Sequence, residues 1–192
     1  MATNQERESA TPAMLLWQTA SQFLHASKKL GTDYVPARYL ACHGIELALK
    51  SHLRARGYRL GQLIDIGHSI DRALRAANST GMKQPPMRVL YTLEFAEEIH
   101  FKHEYRYPHL HRPKFIESVY LIYAGAWALR EAADAVVEIT LAKRSPGRGV
   151  LRTRMKGVAR ELAQWAGPKI IGRKRDPMLA VMSGLLAKQI TD

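Results

Sequence analysis

The sequence feature that most constrains the fold is a long apolar pattern in residues 113–142. Apolar or small side chains recur there at alternating steps of four and three, at Phe115, Val119, Ile122, Ala126, Leu129, Ala133 and Val136. This spacing places them along one face of an α-helix. A second apolar row runs beside the first, through Ile116, Tyr120, Tyr123 and Trp127. A helix this apolar must be covered on two sides, either at the centre of a bundle or against a second copy of the chain.

The rest of the chain also follows helical patterns. Runs of alternating apolar and polar residues rich in β-branched types are missing, so strands are not expected. Capping residues, glycines and apolar spacing predict further helices over residues 12–29, 34–56 and 86–101. Between the last two, they predict a loop over residues 58–67 and then a short helix that contains Ile70 and Ala77. The sequence therefore predicts an all-α, up-and-down bundle of four to five helices.

The charge of the chain is concentrated at its C-terminal end. The net charge is +12, and residues 143–192 carry 12 Lys and Arg against 3 acidic residues. We expect a flexible N-terminus over residues 1–10, a helical bundle over 11–143, and a basic tail with two short helices over 144–192. Such a tail predicts a polyanionic partner, with nucleic acid favoured over an anionic membrane surface.

Cysteine usage and hydropathy limit the cellular context. The single cysteine, Cys42, excludes an internal disulfide and favours a reducing compartment. No stretch approaches the roughly 20 consecutive apolar residues that cross a bilayer. The N-terminus lacks the pattern of a signal peptide. We therefore expect a cytoplasmic protein without a transmembrane segment.

Residues 100–113, HFKHEYRYPHLHRP, hold the densest group of chemically active side chains. They include four histidines, His100, His103, His109 and His111. A metal site made only of these histidines would lack the cysteine or carboxylate support that zinc sites usually have, so we expect neither metal nor cofactor. Arg106 and His111 are separated by four residues. A histidine can take the proton of an RNA 2′-hydroxyl, and a guanidinium can bind the resulting phosphorane through two hydrogen bonds.

Three further motifs carry a family resemblance. Helix two reads ARYLACHGIELALKSHLRARG, the next loop contains Gly67-His68, and the segment Tyr105-Arg106-Tyr107-Pro108 precedes the last long helix. In this order they resemble a HEPN domain, an all-helical module associated with nucleotides and RNA, over roughly residues 11–142. Taken without the resemblance, the spacing of Glu46 and Lys50 predicts an ordinary ion pair on a helix surface. On the same basis, His68 is expected to be a loop histidine that bonds to backbone.

The resemblance implies a function and a site. Many HEPN domains carry an R-x4-6-H motif that cleaves RNA without metal, and Arg106 and His111 fit it as catalytic residues. The same resemblance implies a homodimer in which two motifs share one RNA, and in some members a toxin with an antitoxin-like partner. His109 is an alternative to His111. The residues expected to contact nucleic acid are Tyr107, His109, Arg112, Arg152, Lys156, Arg160, Arg173, Lys174 and Arg175.

A second class of function fits the same residues. In this alternative the chain is a non-enzymatic HEPN-like module that binds a nucleotide, nucleic acid or a partner protein. Binding without cleavage would distinguish it from a metal-independent endoribonuclease that leaves 2′,3′-cyclic phosphate ends.

Overall fold

A computed structural model of the chain describes residues 4–31, 35–101, 116–141 and 145–171. Within these residues the secondary structure is entirely helical, which confirms the all-α prediction. The seven helices of the described residues are α1 Asn4–Leu30, α2 Val35–Ala55, α3 Leu60–Ile66, α4 Ile70–Ser79, α5 Met87–Phe101, α6 Ser118–Thr140 and α7 Gly147–Ile171. None of them is long and apolar enough to cross a membrane.

Helix α6 is the central helix of the bundle. It packs against α1, α2, α5 and α7. Both of its predicted apolar rows are covered, since Val119 and Ile122 of the first row and Tyr120 and Trp127 of the second are all buried. The sequence left open whether this helix is covered within one chain or by a second copy of the chain. Packing within a single chain accounts for its burial.

A close contact between three helices fixes the middle of the core. Leu24 of α1 lies against Gly44 of α2 and Gly125 of α6. A Cβ atom added at Gly125 would come within 2.5 Å of Leu24 Cδ2, and one at Gly44 within 2.8 Å of Leu24 Cγ. The two glycines therefore make room for a buried leucine, and we refer to these three residues as the glycine seam.

Several helix boundaries differ from the sequence prediction. Helix α1 begins at Asn4 rather than near residue 12. Residues 58–67 were predicted as a loop, but most of them form α3. The basic tail was predicted to hold two short helices, and Gly167 and Pro168 favour a break after Trp165, but α7 continues through both residues to Ile171.

Helix α7 packs on the bundle instead of standing apart from it. The side chains that it buries in the common core are Met155, Ala159, Leu162, Ala166 and Ile170. Its polar side also contacts α6, where Asp134 pairs with Arg152 at 2.8 Å and with Lys156 at 2.9 Å. The described part of the basic C-terminal region is therefore continuous with the bundle.

The start of α4 is joined to α5 by a carboxylate. Glu97 of α5 accepts hydrogen bonds from Ser69 Oγ at 2.6 Å and from the backbone N–H groups of Ile70 at 2.6 Å and Asp71 at 3.2 Å. A carboxylate at a helix N-terminus satisfies free N–H groups and complements the helix dipole. This contact holds His68, the residue before Ser69, beside the C-terminal half of α5.

Candidate functional site

A buried carboxylate on α2 forms the centre of the candidate site. Glu46 is 2% exposed, and its Oε1 accepts a hydrogen bond of 2.7 Å from Lys50 Nζ. Lys50 also donates to the carbonyl of Gly67 at 2.6 Å. The predicted pairing of Glu46 with Lys50 is confirmed, but its predicted surface location is wrong. The pair joins a buried carboxylate to a partly buried ammonium group, and it connects α2 to the loop between α3 and α4.

Three imidazoles surround the other oxygen of the same carboxylate. Glu46 Oε2 lies 3.1 Å from His100 Nε2, 3.2 Å from His68 Nδ1 and 3.4 Å from His43 Nδ1. One atom from each of these four side chains lies within 4.8 Å of all the others. We call Glu46, Lys50, His43, His68 and His100 the Glu46 cluster.

Three separate parts of the chain supply this cluster. His43, Glu46 and Lys50 follow one another at steps of three and four on α2, so they share one helix face. His100 comes from the last turn of α5. His68 follows Gly67, whose φ of +63° is a backbone conformation that glycine adopts without strain. His68 lies in a loop, as predicted, and its ring faces the Glu46 carboxylate in addition to any backbone contact.

The electrostatics of the cluster favour an ionised carboxylate. Burial by itself raises the pKa of Glu46, but the contacts of its carboxylate with His100, His43 and Lys50 outweigh it and hold that pKa well below its usual range. The neighbouring thiol behaves in the opposite way. Burial, and secondly the Glu46 carboxylate, raise the pKa of Cys42 well above its usual range. Cys42 is therefore a packed thiol and not a nucleophile.

Aromatic side chains hold the rings of the cluster in place. Tyr39 stacks nearly parallel to His43 with ring centroids 6.2 Å apart, and its centroid lies 6.1 Å from that of His100. Phe23 meets the His43 ring edge to face at 4.7 Å. His100 is almost fully buried, whereas the His68 side chain is 47% exposed. Solvent therefore reaches the cluster on the side of His68.

A second feature is a cavity between α6, α7 and the start of α5. Its volume is about 330 Å³, and its lining includes Tyr123, Trp127, Arg130, Lys156 and Arg160. Two of the predicted nucleic-acid contacts, Lys156 and Arg160, are thus brought together on one wall. Arg152, the third of them on α7, is absent from this lining and pairs with Asp134.

The remaining predicted site residues lie outside the described residues. They are the catalytic pair Arg106 and His111, and the predicted contacts Tyr107, His109, Arg112, Arg173, Lys174 and Arg175. Of the four histidines that the sequence grouped together, His100 alone is described, and it belongs to the Glu46 cluster.

Sequence reasoning missed the Glu46 cluster because most of it is assembled by tertiary structure. The step of three from His43 to Glu46 on a predicted helix was a usable signal. However, 54 positions separate Glu46 from His100 and 22 separate it from His68. The carboxylate that a histidine site was expected to lack is therefore supplied from a distant part of the chain.

Comparison with known protein families, curated proteins and solved structures finds no match for this chain.

Proposed function

We propose that this chain is a HEPN-like RNA-binding protein and that it cleaves RNA without a metal at Arg106 and His111. The observation that carries the proposal is the cavity between α6 and α7. It brings Lys156 and Arg160, which the sequence suggested as nucleic-acid contacts, together with Arg130 and two aromatic rings.

The cavity has the composition of a site for a nucleotide unit. Its three cations can contact phosphate oxygens, and the rings of Tyr123 and Trp127 offer apolar surface to a base or sugar. Its volume of about 330 Å³ is at the small end of the range of about 300–1,000 Å³ for ligand pockets. Arg160 is exposed and forms no ion pair within the described part of the chain, so its charge is available to a phosphate.

Cleavage is the part of the proposal that rests on the spacing of Arg106 and His111. In that reaction His111 accepts the proton of the 2′-hydroxyl, and the 2′-oxygen forms a bond to the adjacent phosphorus. The bond from phosphorus to the 5′-oxygen then breaks, and the leaving oxygen takes up a proton. Arg106 stabilises the charge of the phosphorane, while Tyr107 and His109 line the site. A homodimer places two such motifs on one RNA.

The cleavage test uses single-stranded RNA in the presence of EDTA. We expect the wild type to produce 2′,3′-cyclic phosphate ends, and Arg106→Ala and His111→Ala to lower the rate by at least about 100-fold, the lower end of a general acid–base contribution. Lys102→Ala and His103→Ala are the matched controls, because they remove the same kinds of side chain from the same segment. Intact RNA with the wild type, or equal rates in all variants, would refute the catalytic assignment.

The binding test separates the cavity from the general positive charge of α7. Arg160→Ala should weaken RNA binding and reduce the slope of log K against log salt by about 1. Arg154→Ala is the control, because Arg154 is an exposed cation of the same helix that lies outside the cavity lining. Equal losses in the two variants would mean that the cavity has no particular role.

The cavity also favours one form of the non-enzymatic alternative. A space of about 330 Å³ suits a single nucleotide better than a longer strand, since ligand pockets of this size hold small molecules. In this alternative a mononucleotide binds and RNA stays intact. Calorimetry with a nucleoside triphosphate, repeated with Arg160→Ala, distinguishes it from the RNA proposal.

Sedimentation of the purified chain tests the homodimer, and co-expression with genomic neighbours tests an antitoxin-like partner.

A further inference from the structure

We propose that His43, Glu46, His68 and His100 form a binding site for one divalent transition-metal ion, with zinc as the best-fitting ion. The role of the ion is structural, because it would join α2, α5 and the loop that follows α3. This inference is independent of the proposed RNA chemistry, which needs no metal.

The distances around Glu46 suit a tetrahedral ion. With bonds of about 2.0–2.1 Å, neighbouring ligand atoms of a tetrahedral zinc site lie about 3.3 Å apart. The distances from Glu46 Oε2 to His100 Nε2, His68 Nδ1 and His43 Nδ1 are 3.1, 3.2 and 3.4 Å. Three of the six edges of the tetrahedron therefore already have the required length. The edges between nitrogens, which reach at most 4.8 Å, have to shorten.

Hydrogen bonding alone leaves the cluster incompletely satisfied. A carboxylate oxygen has two lone pairs, whereas three imidazoles approach Oε2 of Glu46. His43 Nδ1 is buried at 3.4 Å from this oxygen and has no hydrogen-bond partner among the described residues. An ion at the centre would accept a lone pair from each of the three rings and from the carboxylate, so that none of them competes with another.

Lys50 acts as a positioning residue for this site. Its ammonium group binds Oε1 of Glu46 and leaves Oε2 facing the imidazoles. The same group binds the carbonyl of Gly67, the residue before His68. Contacts of this kind outside the ligands orient them and are known to influence metal affinity.

The site has a rigid part and an adjustable part. His43, Glu46 and His100 project from long helices and are largely covered by the fold. His68 lies in the short connection between α3 and α4, and nearly half of its side chain is exposed. The ion therefore has a route to the cluster on the His68 side, and His68 is the ligand that can move to shorten the longer edges.

The test is a metal titration of the full chain after treatment with EDTA and removal of the chelator. Isothermal calorimetry with Zn²⁺ and visible absorption with Co²⁺ should both give one ion per chain, and Zn²⁺ should raise the melting temperature. His68→Ala should lower the affinity by at least about 10-fold, in line with losses seen even for residues outside the ligand set. Because His68 is partly exposed, this variant is expected to fold, and circular dichroism would check it.

His25→Ala is the matched control, since His25 is a partly buried histidine of α1 that pairs with Glu161 and lies outside the cluster. It should bind Zn²⁺ as the wild type does. Absence of binding by the wild type would overturn the proposal. Unchanged affinity in His68→Ala would also overturn it, because the ion would then be held elsewhere, for example by His103, His109 and His111. Neither readout involves RNA, so the result is separate from the test of cleavage.

Discussion

Helix α2 contributes Gly44 to the glycine seam and, two residues later, Glu46 to the Glu46 cluster. The seam is formed by close contact of apolar atoms, with Leu24 fitted against two glycines. The cluster buries a charge and surrounds it with four polar side chains. The comparison shows that one helix takes part in two kinds of packing. The stability of the seam depends on how much space the side chains at Gly44 and Gly125 leave for Leu24. The stability of the cluster depends on each polar group that contacts Glu46 being present.

The largest expected effect is in the cluster. Glu46→Ala should lower the free energy of unfolding by roughly 3–5 kcal/mol, because it leaves the buried His100 and the partly buried Lys50 without their acceptor. Urea unfolding at pH 7 measures the loss. Asp71→Ala is the control, since Asp71 pairs with Arg75 on an exposed helix face and should cost less than about 1 kcal/mol. Similar losses in both variants would mean that the buried position of Glu46 adds nothing.

The second effect concerns His52, a buried histidine of α2. Burial first, and then the nearby Arg56, lower the pKa of His52 to about 4. Because this pKa is below the value of about 6.5 for the unfolded chain, the stabilising contribution is present above pH 6.5 and is lost as the pH falls towards 4. Wild type should therefore be about 2 kcal/mol less stable at pH 5 than at pH 7 from this group.

His52→Leu isolates that contribution. The free energy of unfolding is measured by urea unfolding at pH 7 and at pH 5. The difference between the two values should be smaller in the variant than in the wild type by about 2 kcal/mol. An unchanged pH dependence would show that the fold does not lower the pKa of His52 relative to the unfolded chain.

The third effect is in the seam. Gly125→Ala should destabilise the fold by about 1–3 kcal/mol, because the new Cβ overlaps Leu24. Gly157→Ala is the matched control on α7, where an added Cβ meets nothing within 4 Å, so it should stabilise by up to about 1 kcal/mol through helix propensity.

A double variant sharpens the test of volume. In a Leu24→Ala background, Gly125→Ala should cost clearly less than it does alone, because the overlapping atoms are gone. Equal costs in both backgrounds would place the strain outside the seam. Thermal and urea unfolding of the four proteins give the coupling energy.

The sequence predicted the apolar helices better than it predicted the connections. Residues 113–142 gave both buried rows of α6, whose bounds are Ser118–Thr140. Helix α3 was missed because Leu63 is its single buried residue, while Leu60 and Ile64 remain exposed. Such a short helix lacks the repeated apolar positions on which a periodicity argument depends.

The prediction of where α7 ends failed for a different reason. Gly167 and Pro168 argue for a break on local propensity, but the helix continues and buries Ala166 and Ile170 in the core. Tertiary packing overrides local preference here, as it commonly does.

For the candidate site, the spacing of Glu46 and Lys50 predicted their pairing. The sequence could not show that His68 and His100 face the same carboxylate, because that depends on the arrangement of α2, α4 and α5.

The weak attachment of α3 has a consequence for exchange with solvent. Leu63 and the bond from Lys50 to the Gly67 carbonyl are its main ties to α2. Segments with few buried contacts open locally at lower free energy than the core. The amide hydrogens of α3 should therefore exchange with deuterium well before those of α2 and α6. Because Gly67 directly follows α3, each such opening also loosens the loop that carries His68, on the side from which solvent reaches the cluster.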